Sequence, residues 1–503
     1  MTVGELTDAV RRSRPGLQPI TSGDRGAEVS ITGVTHDSRV VASGSVFVAL
    51  RGFSVDGATF AREAVSAGAA AVVADRPPPA EDLGVPWVTV SEARPALAQI
   101  AAELHGHPSR ELSVVGITGT NGKTTTSYLL HSMFEAAGVR AGLMGTLSYH
   151  VAGRVVEATR TTPEAPEVQG LLREMIVAGC GACVMEVSSH ALSLHRVDGT
   201  RFTAGVFTNL TRDHLDFHES MEVYFAAKRR LFEMLPRDAP ALINLDDPRG
   251  AELVAAAGHP VTYSVNGPAD VTAGQQAASL DGLDFELRTP EGVVPVHSRL
   301  VGRSNVSNIL AAAGTAAALG LPLDAIARGV DQLTGVPGRF QVVSHGGDDI
   351  TAIVDYAHTD DSLRNLLETA RQLAPARLIT VFGCGGERDR SKRPLMGMVA
   401  ARLSDVVVIT SDNPRAEDPI RIIDEVALGA EAEARQSSVD VLIVPDRREA
   451  ISLAVQQAGA GDVVLIAGKG HEKHQEIEGR RLPFDDVVAA REALGARRLR
   501  RVE

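Results

Sequence analysis

Along this chain short runs rich in Val, Ile and Ala alternate with helix-like stretches, a pattern that predicts α/β units built on largely parallel sheets. Early strands are predicted at residues 45–50, 70–73 and 87–90, with an Ala-rich helix over 61–67. A first break falls at His107, Pro108 and Ser109, whereas the Pro77–Pro79 triplet is only a stiff connector inside the first unit. The second unit opens with a strand at 112–117 and runs to about Gly338. Within it, residues 271–300 alternate apolar and polar positions between Gly and Pro turns, which predicts β-hairpins. The turn-forming stretch GVPGR at 335–339 marks a second break. The expected division is therefore 1–107, 108–338 and 339–503, in line with 503 residues at roughly 150 per domain.

The last unit reads most plainly. Strands are predicted at 351–354, 378–382, 406–410, 441–444 and 463–467, with helix-like sequence between them. Polar clusters follow four of these strands: DYAH at 355–358, GCGGER at 383–388, DNPR at 412–415 and GKGHE at 468–472. Open parallel sheets bind ligands beyond the carboxyl ends of their strands, so the four clusters point to one crevice.

Composition narrows the function. Asp and Glu exceed Lys and Arg by 63 − 50 = 13, so the overall field repels nucleic acid, and an anionic substrate must be drawn in locally. Three cysteines cannot make a disulfide framework, which suggests a reducing compartment. The N-terminus lacks an apolar core of signal-peptide length, and the longest apolar stretch, 309–321, is too short and Ala-rich to span a bilayer. The expectation is a cytoplasmic enzyme without membrane insertion.

The strongest local motif is GITGTNGKTTT at 116–126, between a predicted strand and a helix starting near Thr124. Such a loop turns backbone N–H groups toward phosphates at a helix N-terminus. Lys123 would meet the β- and γ-phosphates, and the Thr124 hydroxyl would ligate Mg²⁺. Ile117 stands where the strict phosphate-loop pattern has its first glycine, so the glycines are spaced G-x₂-G-x₂-G. Residues 182–186 read as a buried strand that delivers Glu186 beside this loop, as phosphoryl transfer with a metal requires. The segment 208–218 carries Asp213, His214, Asp216 and His218; next to a phosphate loop it suits Mg²⁺ better than zinc, with His218 the more structural histidine. Cys180 and Cys183 read as packing residues. The basic run Arg388, Arg390, Lys392 and Arg393 is a candidate anion catcher, and the arginines at 497–501 read as a solvated helix end.

Taken together, GTNGKT at 119–124, EVSSH at 186–190, the 209–214 segment, YFAAK at 224–228, NVSN at 305–308, Gly338-Arg339, DYAH and GKGHE resemble, in order, the Mur ligases. These are ATP-dependent amino-acid-adding enzymes of bacterial cell-wall precursor synthesis. Asp37-Ser38-Arg39, GCGG and DNPR resemble the members that add the third residue, diaminopimelate, to a UDP-muramyl dipeptide. The resemblance implies a UDP-binding N-terminal domain, a central ATPase of P-loop type with a mostly parallel sheet, and a Rossmann-like C-terminal domain. It implies an acyl-phosphate mechanism with ATP as substrate and Mg²⁺ as cofactor; a monomer is expected, although the sequence itself leaves the oligomeric state open. By the resemblance, Gly119, Thr120, Asn121, Gly122, Lys123, Thr124, Thr125, Asn305, Arg339 and Asp355 meet the nucleotide. Thr124, Glu186, His214 and Lys228, the last as a carbamate, hold metal, and Lys123, His214 and Lys228 are catalytic. Ser38, Phe53, Ser54, Val55, Thr161, Thr162, Ser188 and Arg196 match the UDP-substrate positions, while His36 and Leu194 depart from the leucine and glutamine of some relatives. Arg388, Asp412, Asn413, Pro414, Arg415, Gly468 and Glu472 match the diaminopimelate positions. The competing readings are a relative with another acceptor, lysine-adding or folate-extending, and a P-loop nucleotide switch.

Overall fold

The structure, a computed structural model, describes residues 1–22, 26–52, 55–279 and 281–502. Three large sheets follow one another along the chain. The first orders its five strands Ile20–Ser22, Trp87–Thr89, Ala71–Ala74, Ser45–Ala49 and Gly33–Thr35, and every neighbouring pair but the first is parallel. Apolar side chains from Val3 through Leu104 cover both its faces.

The central sheet counts twelve strands among the described residues. Its middle is parallel, in the order His259–Ser264, Pro240–Asn244, Ala204–Phe207, Ser113–Thr118, Ala182–Glu186 and Ala141–Met144. Strands such as ACVME and PALIN are buried at every position because helices cover both faces. Lys123–Ala136 and Arg303–Ala318 pack on one face, Ala165–Val177 and Met221–Glu233 on the other. The expected hairpin is present as Gly282–Thr289 paired with Gly292–Ser298. The strand Gly282–Thr289 alternates buried and exposed residues, as a strand with one wet face does.

The third sheet runs Gln341–Val342, Thr351–Asp355, Val463–Ala467, Leu378–Phe382, Val406–Ile409 and Asp440–Ile443, with only the first pair antiparallel. Val463–Ala467, the last of these in sequence, sits between the first two parallel strands. The resulting crossover puts the polar clusters after Asp355, Phe382, Ile409 and Ala467 on one edge. The C-terminal arginines meet the expectation of a solvated helix end only in part. In the helix Asp486–Val502, Arg497 pairs with Asp349 and Arg498 with Asp348, each at 2.8 Å, so this helix end is tied to the turn before Thr351–Asp355, while Arg498 and Arg500 remain exposed.

Candidate active site

The strand Ser113–Thr118 delivers the glycine loop to the N-terminus of Lys123–Ala136. Two of its glycines are obligatory by geometry. Gly119 has φ +149°, and a Cβ there would lie 1.8 Å from Thr208 Oγ1; a Cβ on Gly122 would lie 2.3 Å from Asn308 Oδ1. Lys123 folds back over the loop and donates to the carbonyls of Gly119 at 2.9 Å and Thr120 at 2.8 Å. Desolvation lowers its pKa, opposed by the charges of Glu186 and Asp213.

Glu186 ends a buried strand and has no solvent exposure. Its carboxylate accepts from Thr124 Oγ1 at 3.1 Å, Thr146 N at 2.9 Å and Thr146 Oγ1 at 3.0 Å. Lys228, 1% exposed, projects from the helix Met221–Glu233 and donates to Gly119 O at 2.7 Å. Two lysines thus share one carbonyl oxygen of the loop. Burial, then the charge of Lys123, drives the Lys228 pKa well down, toward the neutral amine. His214 occupies a left-handed backbone position, φ 54°, and packs edge-on to His190 at 4.7 Å between ring centroids. Burial lowers its pKa, against the pull of Asp213. His218 is buried, 2.9 Å from Ser189 Oγ, as a structural histidine should be. Cys180 and Cys183 are buried with their thiol pKa values raised by desolvation, as packing residues.

A cleft of about 350 Å³ opens between the central and C-terminal sheets. The loop residues Thr120 to Thr125, Glu186 and His214 line one side; Arg339 and Asp355 to His358 line the other. Arg339 stacks on Tyr356, 4.6 Å from the ring centroid, and donates to Thr124 Oγ1 at 3.3 Å. Asp355 accepts the N–H groups of Phe340 at 2.6 Å and Ala357 at 2.7 Å; desolvation raises its pKa. Asn305 also faces the cleft, its amide donating to Val301 O at 2.8 Å. Ser304, Asn365 and Thr369 line it too. Sequence reasoning missed these three, since polar residues on a helix face carry no signal of their own.

The residues matched to a UDP-linked substrate form a ledge beside Glu186. Thr162 Oγ1 donates to Glu186 O at 2.8 Å, Thr161 Oγ1 is 3.2 Å from Thr146 Oγ1, and Arg196 donates to Thr162 O at 3.2 Å and pairs with Glu164 at 2.8 Å. Ser188 caps the short helix Ser189–Ser193. His36 lies close enough to Glu164 and Arg160 to feel both charges, although burial dominates and lowers its pKa. Ser38 follows two residues later, half-buried, and Val55 is exposed; Phe53 and Ser54 lie outside the described residues.

At the edge of the C-terminal sheet, Asp412, Asn413 and Pro414 are buried, and Asn413 Nδ2 donates to Glu472 Oε2 at 2.8 Å. Arg415, at φ 54°, donates to Gly386 O and sits 3.5 Å from Glu476. Gly386 must lack a side chain, because a Cβ would lie 2.0 Å from Pro414 O. A hairpin, His474–Ile477 with Arg480–Pro483, clasps this loop through Arg415 N to Glu476 O at 3.0 Å and Gln475 Nε2 to Asp412 O at 2.6 Å. Neither this hairpin nor the buried Lys469 was singled out from sequence. The basic run needs correction. Arg393 is wholly buried in ion pairs with Glu417 and Glu425 and braces the fold; Arg390, although exposed, also pairs with Glu425, and Arg388 stands exposed beside it.

Comparison with known proteins agrees with this layout. Residues 30–105 match the Mur ligase family, catalytic domain; 117–316 the Mur ligase middle domain; and 338–470 the Mur ligase, glutamate ligase domain. A UDP-N-acetylmuramoyl-L-alanyl-D-glutamate–2,6-diaminopimelate ligase of Solibacter usitatus is 45% identical over 497 residues, covering 98% of each chain. One from Gloeobacter violaceus is 47% identical over 473 residues, 94% of this chain and 96% of that one. A solved structure of an enzyme with that name superposes with a TM-score of 0.67 at 35% identity, covering 99% of this chain and 100% of the other. The chain belongs to the Mur ligase family.

Proposed function

We propose that this chain is an ATP-dependent ligase that joins 2,6-diaminopimelate to UDP-N-acetylmuramoyl-L-alanyl-D-glutamate through an acyl phosphate. One observation carries the reading: the phosphate loop, Glu186 and the Thr161–Ser188 ledge line the same cleft. A nucleotide's terminal phosphate and a substrate carboxylate can therefore meet there. A free carboxylate is a poor electrophile, and phosphorylation supplies the leaving group that the incoming amine displaces. Lys123 and the loop N–H groups offset the charge of the phosphates, and Arg339 reaches the same loop from the other side of the cleft. Thr124 and Glu186 offer hard oxygens 3.1 Å apart, donor chemistry that suits Mg²⁺ shared with phosphate oxygens. Bound there, Mg²⁺ would neutralise phosphate charge. His214 and Lys228 stand beside the loop; Lys228 offers oxygens only as its carbamate, and the depressed pKa supports that assignment because the neutral amine is the form that adds CO₂.

The ledge of Thr161, Thr162, Ser188 and Arg196 would orient the D-glutamyl end, with Ser38, Val55 and their neighbours toward the UDP end. Arg415, Asp412, Asn413, Gly468 and Glu472, with Arg388 at the rim, would receive the far end of diaminopimelate. The unit boundaries 107/108 and 338/339 belong to this reading, supported by separate cores within 3–104, 112–333 and 340–494. All these groups come from one chain, so a monomer suffices. Among the described residues no helix is long and apolar enough to cross a membrane; the cytoplasm, where ATP is present, is the proposed location. A lysine-adding relative would have no use for Arg415, and a nucleotide switch none for the acceptor cluster. The test is mass spectrometry of the product formed from UDP-muramyl dipeptide, ATP and a mixture of amino acids. Incorporation of diaminopimelate is expected; preference for lysine or glutamate would reassign the acceptor.

A further inference from the structure

The acceptor cluster contains a charge that the reading above leaves without a role. Lys469 follows the strand Val463–Ala467, and its side chain has 0% exposure. Gly468 (φ +118°) and Gly470 (φ +54°) flank it and allow the chain to turn the lysine inward. Its ammonium donates to Asn413 Oδ1 at 2.9 Å, Glu472 Oε2 at 3.0 Å and Asp412 Oδ1 at 3.4 Å. Burying an ammonium is costly unless it is paired, and every partner here belongs to the acceptor cluster.

Those bonds dictate what the cluster presents. Asn413 Oδ1 also accepts from Glu476 N at 3.0 Å, so its amide nitrogen must point away, and it donates to Glu472 Oε2 at 2.8 Å. Glu472 Oε2 is then engaged twice, while Oε1 has no partner among the described residues. Asp412 uses Oδ1 toward Lys469; its Oδ2 faces Gly468, where an added Cβ would come within 3.5 Å. One oxygen from each carboxylate is left for a ligand. Two carboxylates against one ammonium leave a net single negative charge, matched to one incoming cation. Without Lys469 the carboxylates would repel each other, and Asn413 Oδ1 would keep only the bond from Glu476 N.

We infer that Lys469 is a positioning residue for acceptor selectivity: it holds Asp412, Asn413 and Glu472 in the arrangement that recognises the distal ammonium, while Arg415 serves the distal carboxylate. This rests on the ligase reading above. The test compares diaminopimelate with 2-aminopimelate, which keeps the reacting head and distal carboxylate but lacks the distal amine. In K469M, kcat/KM for diaminopimelate should fall at least about tenfold, mainly through KM, and that for 2-aminopimelate less than about threefold. The preference for diaminopimelate therefore collapses. K469Q, which can still donate to Asn413 but carries no charge, should fall between, and it decides the matter if K469M does not fold. Both acceptors are read on one sample, so a loss of folded enzyme leaves their ratio unchanged. An unchanged preference in the variant would overturn the inference. Failure of the unaltered protein to join either acceptor would instead remove the ligase reading itself.

Discussion

In the proposed reaction, Arg415 is the residue on which acceptor specificity turns. Lysine lacks the distal carboxylate of diaminopimelate, and a guanidinium offers a planar fork suited to that group. In the fold the Arg415 side chain already donates to Gly386 O and lies beside Glu476, contacts that fix its direction and leave donors to spare. Arg415→Ala should lower kcat/KM for diaminopimelate by at least roughly thirtyfold, as truncating a desolvated charged partner typically costs 2–5 kcal/mol. Lysine use should change far less; equal losses would mean that Arg415 only braces the loop. The DNPR and GKGHE clusters proposed for the acceptor were legible because they follow strands. The burial of Lys469, Arg393 and Arg447 was not. A buried charge is explained by its partners, and most of theirs lie far off in sequence: Arg447 reaches Asp486 at 2.7 Å across 39 positions, and Lys469 reaches Asn413 across 56 and only Glu472 nearby.

Among the elements, the phosphate loop was readable from its glycines and Lys-Thr pair set between a predicted strand and helix, because that geometry is local. The partner that makes Gly119 obligatory, Thr208, follows another strand, Ala204–Phe207, and could not be foreseen. Gly119→Ala would set a Cβ against Thr208 Oγ1 and strain the backbone at φ +149°. Its kcat/KM for ATP should fall at least about a hundredfold. Gly138→Ala is the control: at φ +78° it meets nothing within 4 Å, so it carries only the local strain and should leave ATP kinetics within about threefold. Matching losses in the two variants would make the effect one of general stability. The parallel strands were legible from their unbroken apolar runs. The hairpin over the acceptor loop was not, since HQEI and RRLP lack an apolar face to mark them.

At the scale of the whole molecule, Asp198 ties the N-terminal unit to the central one. It accepts from Arg14, from His195 at 2.8 Å and from Arg230 at 2.7 Å. Burial alone would raise its pKa; the bonds from His195 and Arg14 and the charge of Arg230 hold it at about 2. The folded-state value lies below that of the unfolded chain, so the stabilisation is present above pH ~4 and fades as pH falls through about 2. Asp198→Asn should lower stability near neutrality by on the order of 2 kcal/mol and flatten the acid limb of urea unfolding between pH ~4 and ~2. An unchanged acid limb would release Asp198 from this role. In the proposed reaction a carboxylate oxygen passes to phosphorus in the cleft that the units enclose and leaves with it. The decisive measurement uses UDP-muramyl dipeptide labelled with ¹⁸O in the D-glutamyl γ-carboxylate, turned over with ATP and diaminopimelate. Each amide formed should release one phosphate carrying one ¹⁸O. Unlabelled phosphate, released at the same rate without the dipeptide, would contradict it.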